Sequence, residues 1–143
     1  MDRPFRLLVL AVVVGAGAWA VLRWPHLDTV ETGRTSEYPD LRPRDYAAGE
    51  PEVSRAVKAT LDRLGWTFVG AGRGATGGEV QATARGQVLP SEHELTIRLQ
   101  RLGPRTRVSV RAHDRTFQWD FGEDARVIER FLAGLDAEMA RRR

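Results

Sequence analysis

The stretch 94-ELTIRLQRLGPRTRVSVRAH-113 decides how this chain folds. Leu95, Ile97 and Leu99 alternate with Glu94, Thr96, Arg98 and Gln100. After a break, Val108, Val110 and Ala112 alternate with Arg107, Ser109, Arg111 and His113. Side chains of an extended strand point to opposite faces in turn, so a period of two predicts two strands that are each apolar on one face only. Gly103-Pro104-Arg105-Thr106 between them has the composition of a tight turn, which makes the pair antiparallel.

The pattern extends upstream. In 79-EVQATAR-85, Val80, Ala82 and Ala84 oppose Gln81, Thr83 and Arg85, and 66-WTFVGAG-72 is rich in the aromatic and β-branched residues that strands favour. Gly77-Gly78 is expected as the turn between these two, and 70-GAGRGATGG-78 as a hairpin loop: with no helix following it, it cannot cradle a phosphate. Two helices flank the strands. The first has Pro51 at its first position, an apolar stripe of Val53, Val57, Leu61 and Leu64, and Gly65 at its end. The second runs from about Asp124 to Ala140 with Val127, Ile128, Phe131, Leu132, Leu135 and Met139 on one side. The expected fold is α+β, with two layers in the order helix, four-stranded antiparallel meander, helix over residues 51–140. A chain of 143 residues has room for one such domain.

An N-terminal membrane helix is expected ahead of it, in residues 1–24. From Leu7 to Leu22 there is no charged residue, and Phe5 extends the run if Arg6 turns back to the headgroups. Residues 5–22 as a helix reach about 27 Å, close to the hydrocarbon thickness of a bilayer. Trp19 and Trp24 suit its interfacial belt. The same residues also read as a cleaved signal peptide, and both readings export the domain. Arg3 and Arg6 precede the span, so the expected arrangement is a single-pass protein of the cell membrane with its soluble domain on the extracytoplasmic side. Residues 25–50 then form an extended leader in which Tyr38, Leu41 and Tyr46 either dock on the domain, where the strap would be able to cover the open sheet face, or belong to a solvated tether.

Charge narrows the functions available. The sequence is basic, with a pI near 10.1, and its net charge is +3. Arg3, Arg6 and Arg23 against Asp2 give residues 1–24 a net +2, the tail Arg141–Arg143 adds +3, and residues 25–140 are therefore net −2. A mildly acidic body does not suit phosphate neutralisation, so no nucleic-acid partner is expected. Without cysteine, neither disulfides nor thiolate chemistry are available.

Two helices on one face leave the other face of the sheet open, carrying Arg85, Arg98, Arg107, Arg111 and His113 among polar residues. These arginines gather positive charge where a small anionic molecule, or an envelope protein partner, would be held by bidentate contacts. The competing reading is a solvated face laced by cross-strand ion pairs. Binding residues are thus sought at Arg85, Arg98, Arg111, His113, Arg115 and Asp120. In 111-RAHDRTFQWDFGED-124, Asp120 and Glu123 have capping-box spacing, Arg111 and Arg115 are placed to brace Asp114 or Asp120, and Phe117, Trp119 and Phe121 suit a crossover tucked onto the core. Nitrogen and carboxylate ligands for zinc exist in His93, Glu94, His113 and Asp114, but their spacing matches no metal motif, and neither metal nor cofactor is expected. A metal-assisted hydrolase centred on His93, His113, Asp114 and Asp120 is the alternative to a non-enzymatic domain. No G-x-S-x-G elbow or H-E-x-x-H helix supports it.

The segments 37-EYPDLRPRDY-46, 64-LGW-66 and 110-VRAHDRTFQWDFGEDARVIERFLAGL-135 resemble the bacterial and plastid family known as domain of unknown function 1499, over roughly residues 30–138. The family's C-terminal pattern is kept at Val108, Val110, Arg111, Arg115, Asp120, Gly122 and Ile128. Ser109, Ala112, Asp114, Phe117, Asp124 and Val127 stand where it has Asp, Ser, Ser, Gly, Asn and Arg, and its paired acids before the third strand are His93 and Glu94 here. The resemblance implies an envelope domain and no particular reaction. If the orientation is as expected, proteinase added to intact cells degrades the domain; full protection of the domain would reverse it.

Overall fold

The structure, a computed structural model, describes residues 29–88, 90–116 and 122–143. The expected membrane segment Leu7–Leu22 lies outside them, and among the described residues no helix is long and apolar enough to cross a membrane.

The elements run β1 (Thr29–Glu31), β2 (Arg44–Tyr46), α1 (Glu50–Leu64), β3 (Thr67–Gly74), β4 (Gly77–Arg85), β5 (Glu92–Leu102), β6 (Arg105–Asp114) and α2 (Glu123–Arg141). Strands β3 to β6 form the expected meander, every pairing antiparallel. The sheet is wider than expected: six strands among the described residues, because β1 and β2 both pair with the outer edge of β6. Three-residue strands are too short to show a period, which is why only the four long ones are legible in the sequence.

Both helices lie on one face. The sheet contributes Val80, Ala82, Ala84, Leu95, Ile97, Leu99, Val108, Val110 and Ala112 to the core, and all are buried. The helices contribute Val53, Ala56, Val57 and Leu61 from α1 and Val127, Ile128, Phe131, Leu132 and Leu135 from α2. Helix α1 starts one residue earlier than expected, so Pro51 is its second residue, where a missing N–H still costs no helical bond. It ends in a pair of bonds, from Gly65 N–H to the Asp62 carbonyl and from Trp66 N–H to the Leu61 carbonyl, that satisfy its last turn.

Part of the leader packs as a strap along β6. Val30, Leu41 and Tyr46 are buried, Thr32 bonds to the backbone of Val110 through both its N–H and its hydroxyl, and the Tyr46 hydroxyl donates to Asp136 at 2.7 Å. Burial and that acceptor push the Tyr46 phenol up. The strap runs beside β6 at the sheet edge and does not cross the open face.

The β3–β4 turn differs from expectation. Its two turn residues are Ala75 and Thr76, while Gly77 and Gly78 are already paired in β4, and most of the stretch read as a hairpin loop is strand. Glycine is required at 77 for another reason: a Cβ there would sit 2.1 Å from the Leu99 carbonyl oxygen, on a backbone with φ +152. Gly77→Ala is therefore expected to cost roughly 1–3 kcal/mol or more, as overpacking does. Thr76→Ala, at the exposed turn, should stay within about 0.5 kcal/mol. Denaturant unfolding of the two variants checks this, and the reverse ranking would refute the placement of the turn.

Candidate functional site

Strand parity sorts the candidate residues between two regions. On the open face, register places Arg98 between Glu79 and Ser109, Arg111 between Thr96 and Glu31, and His113 between Glu94 and Thr29. Arg85, Arg98, Arg107 and Arg111 do share one side of the sheet. The accumulation of positive charge does not follow, however, because Glu31, Asp45, Glu79, Glu92 and Glu94 stand on that same side, five carboxylates against five guanidiniums once Arg105 is included. Arg98 reaches Glu31 at 3.1 Å and Glu79 at 3.5 Å. Arg107 forks onto Asp45 through two bonds of 2.7 and 2.8 Å, the geometry of a strong pair, and the bond holds the Asp45 carboxyl below its ordinary range. Arg111 and Arg85 form no ion pair among the described residues. His113 shares a bond of 3.1 Å with the Thr29 hydroxyl.

Sheet twist and the strap turn part of this face into a groove of about 610 Å³. Arg98, Gln100, Arg107 and Ser109 floor it; Glu31–Arg34 form one wall and the Gly74–Glu79 hairpin the other. Arg34 stands on the rim, 76% exposed, and Arg98 is 38% exposed. Arg85 lies at the far end of β4 and does not line the groove. Arg115 is also elsewhere: it pairs with Glu94 at 3.2 Å rather than bracing Asp114, whose carboxylate accepts from the Thr116 N–H at 2.7 Å. Asp120, with Phe117, Trp119 and Phe121, lies outside the described residues. Helix α2 begins at Glu123 behind Gly122, two residues later than a capping box from Asp120 requires, and Glu123 turns to another partner. Gly122 takes φ 78, a left-handed conformation that glycine reaches without steric penalty.

The second region is interior. His93 and Asp114 are register neighbours on the helix-facing side, whereas Glu94 and His113 are neighbours on the open side. The sheet therefore splits the supposed zinc ligands two and two, and among the described residues no group of three metal-ligating side chains converges. Of the residues expected at a hydrolase centre, His93 and Asp114 face inward and His113 faces the open side, while Asp120 lies outside the described residues. A different constellation assembles instead. His93 Nδ1 lies 2.6 Å from Asp124 Oδ1, and His93 Nε2 lies 2.8 Å from the Ser91 hydroxyl. This is the connectivity of a Ser-His-Asp relay. Ser91 is 3% exposed and both His93 and Asp124 are fully buried, so no substrate reaches the hydroxyl in this conformation. What the network does is mechanical: it ties the start of β5 to the first turn of α2. Glu123 extends it, accepting from the Gln87 N–H at 2.7 Å and pairing with Arg126 at 3.0 Å. Burial raises the Glu123 pKa, but the bonds from Gln87, Arg126 and Val88 outweigh it and leave the carboxyl lowered.

For His93, burial disfavours the charged ring, yet the bond to Asp124 and the charges of Asp124, Asp114 and Glu123 together raise its pKa above 6.5. A raised folded value means that protonation stabilises the fold; the contribution is complete below the unfolded pKa and is lost as pH rises through the folded one. Unfolding free energy should thus fall as pH increases above 6.5, and His93→Gln should remove that part of the slope. Denaturant titrations across this range check it, and an identical slope in the variant would refute it.

A family model described as "Protein of unknown function (DUF1499)" matches residues 24–135. No curated protein and no solved structure matches the chain.

Proposed function

We propose, for a chain that belongs to the DUF1499 family of proteins of unknown function, a non-enzymatic binding role: a membrane-tethered envelope domain that holds a small anionic ligand in the open-face groove. The observation that carries this reading is Arg98, in the floor of a cavity of about 610 Å³ and 38% exposed. Cavities of this size are typical of small-molecule sites. Arg107 is committed to Asp45 by its fork and acts as structure, whereas Arg98 is held by single contacts to two walls, an arrangement that an incoming oxyanion can replace with a bidentate one. Arg34 on the rim adds a guanidinium donor, and Arg111, which does not line the groove, stands on the same face as the register neighbour of its Glu31 wall. Because the face as a whole is neutral, attraction is short-ranged, which favours a compact ligand with a localised charge over a large polyanion.

Tethering rests on the apolar run Leu7–Leu22 and places the groove outside the cytoplasm. A non-enzymatic role is favoured by the splitting of the hydrolase candidates across the sheet and by the closure of the Ser91 hydroxyl.

Native mass spectrometry of the full chain released from membranes in detergent tests the proposal. Wild-type protein should carry a small non-protein adduct, and the double substitution Arg98→Ala with Arg111→Ala should remove it while leaving thermal stability within a few degrees. Equal adducts on both proteins, or none on either, would reject the groove as a ligand site.

A further inference from the structure

We infer that a second, separate anion site lies at the corner of the sheet where β3 begins, formed by Arg85 and Arg130 around Trp66, and that it takes a small carboxylate or phosphate group. Its origin is a mismatch of strand lengths. The last β3–β4 pair is Thr67 with Thr83, whereas β4 continues to Arg85. Beyond Thr83 the outer edge of β4 has no strand beside it. The space is bounded by Trp66 at the end of α1's turn, by Arg130 reaching across from α2, and by Gly86 and Gln87 of the β4–β5 connection, leaving a cavity of about 310 Å³.

The chemistry of the lining is specific. The Arg130 guanidinium lies 5.3 Å from the centre of the Trp66 ring, which gives it a cation–π partner. It forms no ion pair among the described residues, and its Nη1 is buried without a hydrogen-bond partner. A guanidinium stays charged at any accessible pH, so its charge is permanent and here only partly compensated by an aromatic face. Arg85, on the opposite wall, is likewise without an ion pair among the described residues. Thr67 and Thr83 place two more hydroxyl donors at the same cavity. Glu92 is the single acid in the lining; it is the register neighbour of Arg85 but forms no ion pair with it, so two guanidiniums face one carboxylate. Elsewhere on this sheet Arg98 and Arg107 are engaged by carboxylates, whereas here two guanidiniums without an ion pair among the described residues meet at one cavity, in a body that is net acidic. An oxyanion between them would accept from both guanidiniums and from a threonine hydroxyl, the planar recognition that guanidinium donors favour.

The site is distinct from the groove, with which it shares no lining residue. Full-length protein in detergent, carrying ¹⁵N-labelled arginine, tests it by titration with sodium acetate and, separately, inorganic phosphate, against sodium chloride at matched ionic strength. Saturable shifts of the Arg85 and Arg130 Nε–Hε signals are expected with acetate, phosphate or both, and the better of the two identifies the oxyanion class. Arg85→Gln, an exposed position that the core does not need, should weaken binding about tenfold, the loss of one charge-assisted bond or more. Arg130→Lys, which keeps the charge but not the fork, should weaken it as well, and Arg111→Gln on the open face should leave it unchanged. No saturable shift with either anion, shifts that chloride reproduces, or an affinity unchanged in Arg85→Gln would overturn the inference.

Discussion

Two helices can cover one side of this sheet and no more, and that constraint decides the fate of every strand residue. Residues of one parity on β4–β6 are buried against α1 and α2; those of the other face the open side, where guanidiniums and carboxylates are interspersed with uncharged polar groups, while β3 has no buried residue. A slip of one residue in register would exchange the two sets, burying the charged row and exposing the apolar one. The open groove and the closed core are thus consequences of a single alternation. It also sets a limit at the end of the sheet, where the inward positions shrink to Ala84 and Ala112 and the next ones are His93 and Asp114. There the core has to be polar, and polar groups in an interior persist only when they bond to one another.

What the sequence made legible is what local spacing dictates. The helix stripes and the inward triplets of the three alternating strands follow from periods of 3.6 and 2, and all of those sheet residues are buried. The acids that neutralise the open face were less visible. Glu79 and Glu92 lie at the ends of strands, and Glu31 arrives from a three-residue strand whose partner Arg111 is far along the chain. Nor could spacing reveal the bond of His93 to Asp124, since it joins residues 31 apart that belong to a strand and a helix. One signal was present: carrying the alternation of Leu95, Ile97 and Leu99 back by one step puts His93 inward, and carrying Val108, Val110 and Ala112 forward puts Asp114 beside it.

By the resemblance read from the sequence, the three residues of this polar end, His93, Asp114 and Asp124, stand where the family's pattern would have an acid, a serine and an asparagine. The substitutions make chemical sense together. A buried carboxylate at 93 would need donors around it, such as a hydroxyl and an amide. An imidazole that carries a proton on Nδ1 needs acceptors instead, and Asp124 supplies one at 2.6 Å, with Asp114 adding its charge. The relay-like connectivity of Ser91, His93 and Asp124 is thus accounted for by packing: with all three side chains closed to solvent, it fixes the start of α2 against β5.

The same logic of neighbours explains where the free guanidiniums fall. Arginines in the middle of an antiparallel sheet have a strand on each side, so a facing or diagonal glutamate is within reach, as Glu31 and Glu79 are for Arg98. Where β3 stops short, Arg85 keeps a neighbour on one side only, and Arg130 enters the gap from the helix layer, outside the cross-strand scheme. Strand pairing offers Arg85 only Glu92, and the two form no ion pair. The Arg130 guanidinium over Trp66 keeps a buried Nη1 without a hydrogen-bond partner there, and the one acid in the lining, Glu92, forms no ion pair with either arginine.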